Sequence, residues 1–164
     1  AHSLAVVTDG VATAAAVYLP MRDQMYAATL GGGATLNGVP IRVSKAAKTQ
    51  GAKVLSNKWN FKESYWADGQ VPDVERHFRS SLAFRMCLVA EGRFDAMLTL
   101  RPTWEWDVAA GSLIAQLAGA TVTDLAGGQA RFNNAHPKLR GMLAAGPGLH
   151  QDLITRLKPE SVPD

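Results

Sequence analysis

Asp107 stands where a short strand meets a nearly all-apolar run, in the stretch Leu100 to Ala120 (LRPTWEWDVAAGSLIAQLAGA). From Val108 to Ala118 only Ser112 and Gln116 interrupt the apolar residues, at i, i+4 spacing, which predicts a helix buried on most sides. Asp107 is then expected as the N-cap of that helix. A carboxylate there accepts from the free N–H groups of the first turn, is favoured by the helix dipole, and keeps lone pairs for a cation. Ala109, Ala110 and Gly111 leave room beside it. Two readings stay open on these residues: a capping Asp before a core helix, and a ligand for a hard cation. Asp95 and Asp124, the nearest other aspartates, read as turn or cap residues. His2, His77, His136 and His150 show no pairing at ligand spacing, and no Ser stands in a G-x-S-x-G context.

The elements that must position Asp107 follow from patterning. Leu4 to Thr8 and Val11 to Leu19 read as two strands joined by the hairpin signal Asp9-Gly10. A turn at Pro20 to Asp23 leads to a third strand, Gln24 to Leu30. Gly31-Gly32-Gly33 reads as a turn, since no Gly-Lys-Ser/Thr follows it, and Asn37-Gly38 marks another before Ile41 to Val43. The result is a three- or four-stranded antiparallel meander with one face to cover. From Ala52 onward strands and helices alternate, as in α/β layering. Lys53 to Ser56 reads as a strand, and Asn57 to Gln70, with Trp59, Phe61, Tyr65 and Trp66, as an irregular aromatic cluster: a lid, a partner surface or a satellite core. Val71-Pro72-Asp73 is expected to open a short helix to about Arg79. Ser81 should cap a second helix whose Leu82, Met86, Val89 and Ala83, Cys87, Ala90 form an apolar stripe ending at Gly92. Phe94 to Leu100, Thr121 to Asp124 and Met142 to Ala145 read as strands, with Gly127-Gly128 a turn. A closing helix is expected over Leu149 to Leu157, and Pro159 and Pro163 mark a frayed tail.

Several of these stretches resemble the inositol monophosphatase family. Trp106, Asp107, Ala109, Ala110, Gly111, Ala118, Gly119, Val122, Thr123 and Asp124 are similar to its signature W-D-x-A-A-G followed by A-G-(G/A)-x-V-T-D. Upstream, Tyr18-x-Pro20, Met25-Tyr26-x-Ala28, Gly31-x-Gly33-Ala34 and Asn37-Gly38-x-Pro40-Ile41-x-Val43-Ser44 resemble family stretches, as does Cys87-Leu88-Val89-Ala90-x-Gly92. The resemblance implies an α/β fold, an antiparallel β-meander (1–51) followed by an α/β/α layer (52–164), the later part of a layered α/β/α/β/α sugar-phosphatase fold. It implies hydrolysis of a phosphate monoester by a water activated on Mg2+, which hard carboxylate oxygens suit. Asp107 is then the catalytic and metal-binding residue. Family members supply the other ligands from an early Glu and a D-P-x-D-G-(S/T) motif, which this sequence lacks. The chain is therefore expected to be the C-terminal piece of a longer phosphatase, inactive alone, or a non-catalytic α/β binding or assembly module.

Ser80, Ser81 and Leu82 sit where the family has a substrate-touching G-(S/T)-x-A loop, although a plain Ser cap explains the serines equally well. Animal-type inositol monophosphatases place an inositol-binding Glu seven residues before the W-D aspartate, where this chain has Leu100. Arg101-Pro102-Thr103-x-Glu105-Trp106-Asp107 is instead similar to the P-T-x-x-W-D of 3′(2′),5′-bisphosphate nucleotidases. Arg101 is thus a candidate for a second phosphate, or simply an exposed residue at a strand end.

With 164 residues, 47% hydrophobic and 19% charged, the chain is long enough for one sizeable core. A single cysteine, Cys87, excludes an internal disulfide framework and a Cys-based metal site, and it reads as a small core residue in a cytoplasmic setting. No signal peptide or membrane span is expected, and the absent Met suggests a processed start. The net charge of +3 includes Arg42, Lys45, Lys48, Lys53, Lys58 and Lys62 without an intervening acid, read as a solvated face. The resemblance places carboxylates outside this sequence, so that basic balance does not argue for a nucleic-acid polymer. The expected partners are a small phosphorylated substrate, the N-terminal segment of the same protein, and a second copy in a homodimer.

Overall fold

The computed structural model describes residues 1–158. The first five strands, β1 (His2–Thr8), β2 (Val11–Leu19), β3 (Gln24–Thr29), β4 (Gly33–Leu36) and β5 (Val39–Pro40), form an antiparallel sheet in sequential order. Asp9 and Gly10 both take positive φ, 51° and 79°, as the two-residue hairpin turn requires. Thr13 is an extra residue where the register shifts from Val7↔Ala12 to Val6↔Ala14, a bulge that increases the sheet's twist. The meander has one more strand than expected, because Gly33–Leu36 pairs with β3 instead of remaining loop. Its last strand is Val39–Pro40 and not Ile41 to Val43. Ile41 N still donates to the Ala34 carbonyl of β4 at 3.1 Å, and Val43 N then donates to the Ala118 carbonyl at 3.1 Å, tying the chain to the next layer.

A second five-stranded sheet comprises β6 (Ala52–Leu55), β7 (Val74–His77), β8 (Ala96–Thr99), β10 (Thr121–Thr123) and β12 (Met142–Ala145), in the order β10-β12-β8-β6-β7. β6 runs parallel to both β7 and β8; the other pairs are antiparallel. β7 replaces the short helix expected after Pro72. Its four residues are captured as an edge strand by the exposed side of β6, a long-range pairing that overrides the local helix signal of Asp73. A two-stranded ribbon joins β9 (Thr103–Trp104) to β11 (Lys138–Leu139).

Helices α1 (Leu82–Ala90) and α2 (Glu105–Leu117) lie between the two sheets, and α3 (Pro147–Ile154) packs on the far side of the second. The layers are therefore sheet, helix pair, sheet, helix. Val17, Tyr26 and Ala28 from the meander meet Met86, Cys87, Val108 and Ile114 from the helices and Met97 and Met142 from the second sheet in one core. Trp66, Val54, Leu98, Leu143 and Leu149 form a second core under α3. Between Lys58 and Gly69 three 3-10 turns arrange the aromatic residues. Trp66 is fully buried, stacks on Phe61 and donates from Nε1 to the Asn60 carbonyl, whereas Trp59 is exposed.

The inner face of the meander is covered by α2, which supplies the cover from within the described chain. On the outer face Leu4 and Val6 stay 64% and 60% exposed, alongside Val11 and Met25. Ser81 caps α1 as expected, its hydroxyl accepting from Phe84 N at 3.3 Å, and Glu91 and Gly92 end the helix, Gly92 with φ 72°. Cys87 is buried in the core, where desolvation pushes its thiol well above the ordinary range. Among the described residues no helix is long and apolar enough to cross a membrane. Pro159 and Pro163 lie outside the described residues.

Candidate active site

The ribbon β9–β11 sets the start of α2. Lys138 pairs with Trp104 and Leu139 with Thr103, and Glu105 N donates to the Pro137 carbonyl at 3.0 Å. The helix consequently begins at Glu105 with Trp104 in the cap position, three residues earlier than the apolar pattern indicates. Asp107 is therefore not the N-cap. It occupies the first turn, where its charge still favours the helix dipole, and no hydrogen bond or ion pair engages its carboxylate among the described residues.

Glu105 takes the opposite role. Buried and unmentioned among the candidates above, it accepts from Asn133 N at 2.7 Å, Asn134 N at 3.2 Å and Asn134 Nδ2 at 2.6 Å. It folds the 131–137 loop around the helix start. No local pattern marks this role, because its partners lie 28 and 29 residues away.

Asp107 faces a cavity of about 730 Å³ lined also by Leu82, Arg85, Arg101, Thr103 and Lys138. Aromatic walls come from Trp59, Phe78 and Trp104. Trp104 stacks on Trp106 with ring centroids 4.6 Å apart, and Lys138 Nζ lies 4.3 Å from the Trp104 centroid on the cavity side. Lys58 and Lys62 both sit over Trp59, at 4.8 and 5.0 Å. The long basic run is thus exposed as expected, and two of its lysines lie over Trp59, a residue of the cavity wall.

Of the expected site residues, Asp107, Leu82 and Arg101 come together in this cavity, while Ser80 and Ser81 are exposed at the start of α1 and outside its lining. Arg85 and Lys138 are cavity residues that the motifs did not single out, and Thr103, part of the P-T-x-x-W-D stretch without an assigned role, lines the cavity as well. For Arg85 a signal existed: it is the lone charge in an otherwise apolar nine-residue helix. Asp124 is a turn residue, as expected, whereas the carboxylate of Asp95 ties the start of β8 to β6. Asp95 Oδ2 accepts from Lys53 N at 2.7 Å, and Asp124 Oδ1 from Ala126 N and Gly128 N at 2.9 and 2.8 Å. His150 is buried and bonds the Thr123 hydroxyl at 2.8 Å, and burial lowers its pKa.

The model of the inositol monophosphatase family matches residues 1–161. The chain belongs to that family. Nus factor SuhB of Escherichia coli strain K12 is 33% identical over 171 residues, covering 98% of this chain and 60% of the relative. The solved Thermotoga maritima IMPase superposes with a TM-score of 0.75 at 29% identity, covering 93% of this chain and 58% of that one. A 2′AMP-bound structure of SaIMPase-II superposes at 0.81 with 22% identity, over 97% and 61% of the two chains. These neighbours share the layered architecture described above. The chain spans between half and three fifths of the length of the curated relatives it matches.

Asp107 is a hard oxygen donor of the kind magnesium prefers, but one carboxylate does not make a magnesium site. Among the described residues no group of three or more His, Cys, Asp or Glu side chains could hold a metal ion. The donor type fits the ion; the donor number does not.

Proposed function

We propose that this chain is the later part of a magnesium-dependent phosphomonoester hydrolase, with an inositol phosphate or a 3′(2′),5′-bisphosphate nucleotide as its substrate. The observation that carries the reading is the unpaired Asp107 carboxylate, held at a helix start and facing a cavity whose other charged groups are all cations. Such a wall attracts and orients a phosphorylated ligand, and the lone carboxylate repels it unless a cation intervenes. Asp107 and Glu105 divide the work: Glu105 anchors the loop and helix start, and Asp107 is left free to serve as a ligand. Magnesium, when bound, would activate water and offset charge on the phosphoryl oxygens. Its remaining ligands, in this reading, come from a segment preceding Ala1, and the open outer face of the meander is where that segment packs. The absence of Glu at Leu100, and Arg101 at the cavity, favour the nucleotide over inositol.

Phosphatase assays on adenosine 3′,5′-bisphosphate and inositol 1-phosphate test this. The chain alone should show no magnesium-dependent turnover. Supplying in trans the segment encoded upstream should restore chelator-sensitive activity, with the bisphosphate preferred. Robust turnover by the chain alone, or an upstream frame without a D-P-x-D-G motif, would overturn the reading.

The second reading is a binding or assembly module without catalysis. It is favoured by the name of the Escherichia coli relative, a Nus factor, and by the single carboxylate in the cavity. An in-frame start codon near Ala1 would support it over the first.

A further inference from the structure

Arg85 is 8% exposed. Its Nε donates to the Arg79 carbonyl, its guanidinium lies 4.6 Å from the Phe78 ring centroid, and no carboxylate pairs with it among the described residues. A buried charge without a counter-ion costs several kcal/mol. Burial and the neighbouring Arg101 charge both lower its pKa. A second orphan lies in the same cavity. Thr103 is 5% exposed, and its hydroxyl oxygen is buried without a hydrogen-bond partner. Two like charges and an unsatisfied hydroxyl facing one space form a set that an anion completes.

We propose that Arg85 and Arg101, with the Thr103 hydroxyl, form a second anion subsite that binds the non-scissile phosphate of a substrate whose scissile phosphate lies at Asp107. The inference rests on the phosphatase reading for the place of the scissile group, but the subsite itself requires no metal. Guanidinium forks bind phosphate oxygens in pairs, and a hydroxyl beside them donates a further bond. Arg85 supplies a fixed, preorganised fork because its stem is packed within α1; Arg101, exposed at the cavity mouth, closes on the bound anion.

The test is calorimetric titration of this chain, in chelator, with adenosine 3′,5′-bisphosphate and with adenosine 3′-monophosphate. The bisphosphate should bind at least tenfold more tightly. Arg85→Met should abolish that difference while its unliganded melting temperature equals or exceeds that of the wild type, since it removes an uncompensated buried charge. Arg101→Ala, a surface change that leaves the fold untouched, should reduce the difference severalfold and covers the case of an Arg85→Met chain that does not fold. Equal affinity for the two ligands in the wild type would overturn the proposal. So would a difference that survives Arg85→Met, or a lower unliganded melting temperature in that variant with the difference intact. Binding in chelator is read separately from hydrolysis, so a chain that shows this difference yet never gains phosphatase activity overturns the proposed function and leaves the subsite standing.

Discussion

Glu105 and Asp107 are two residues apart, alike in charge, and given opposite fates by their surroundings. Glu105 is enclosed by the amides of Asn133 and Asn134; Asp107 is exposed and unbonded. Replacing Glu105 by Ala leaves two backbone N–H groups without their acceptor. It should destabilise the fold by about 1.5–3 kcal/mol, the range for hydrogen bonds to a charged group. Asp107→Asn removes only a favourable charge from the first helical turn and should cost no more than about 1 kcal/mol. Urea denaturation of the two variants checks the contrast. If the chain is the later part of a phosphatase, as proposed, the order of effects on turnover in that longer protein should reverse, with Asp107→Asn lowering activity by orders of magnitude per folded molecule. A stability loss for Asp107→Asn as large as that for Glu105→Ala would make Asp107 a structural residue.

At the scale of elements, the site depends on how closely α1 and α2 approach. A Cβ at Gly111 would lie 2.8 Å from both Cβ and Sδ of Met86 and 3.3 Å from Cα of Ala83. The sulfur can swing away, but the Met86 Cβ and the Ala83 backbone cannot move without separating the helices. Leu82 and Arg85 on α1 face the cavity that also holds Asp107 from α2, so that separation would widen the site. Gly111→Ala should therefore destabilise by about 1–3 kcal/mol through overpacking. Adding Met86→Gly, which removes the Cβ that the new methyl meets, should recover part of the loss, so the double variant is less destabilised than the sum of the singles. Thermal melts of the three variants measure this coupling, and strict additivity would show that the helices do not meet at Gly111.

The whole molecule is a four-layer stack with one finished side and one open side. α3 closes the second sheet, while the outer face of the meander leaves Leu4, Val6, Val11 and Met25 exposed. Contiguous apolar surface of this kind marks an interface. If a preceding segment packs there, Leu4→Gln with Val6→Gln should change the stability of this chain by only about 0.5 kcal/mol, as for surface substitutions. The same pair should cost several kcal/mol in the longer protein, since it would leave buried amides unpaired. Equal effects in both contexts would show that the face stays open.

Local signals decided much of this protein. The Asp9-Gly10 hairpin, the Ser81 cap, the Gly92 stop and the apolar run of α2 were legible because short-range sterics and periodicity settle them. The W-D motif, by resemblance, pointed to the family and to Asp107. What the tertiary structure alone decided depends on partners distant in the chain. Val74 to His77 became a strand because β6 offered an open edge; α2 began at Glu105 because β11 held Trp104. Glu105 became structural through residues 28 and 29 positions away, and Arg85, charged amid apolar neighbours, acquired meaning only when folding placed it beside Arg101 and Thr103 in the cavity of Asp107. Periodicity records which face of an element is buried. It carries no record of what that face meets, and the chemistry of this site lies in those meetings.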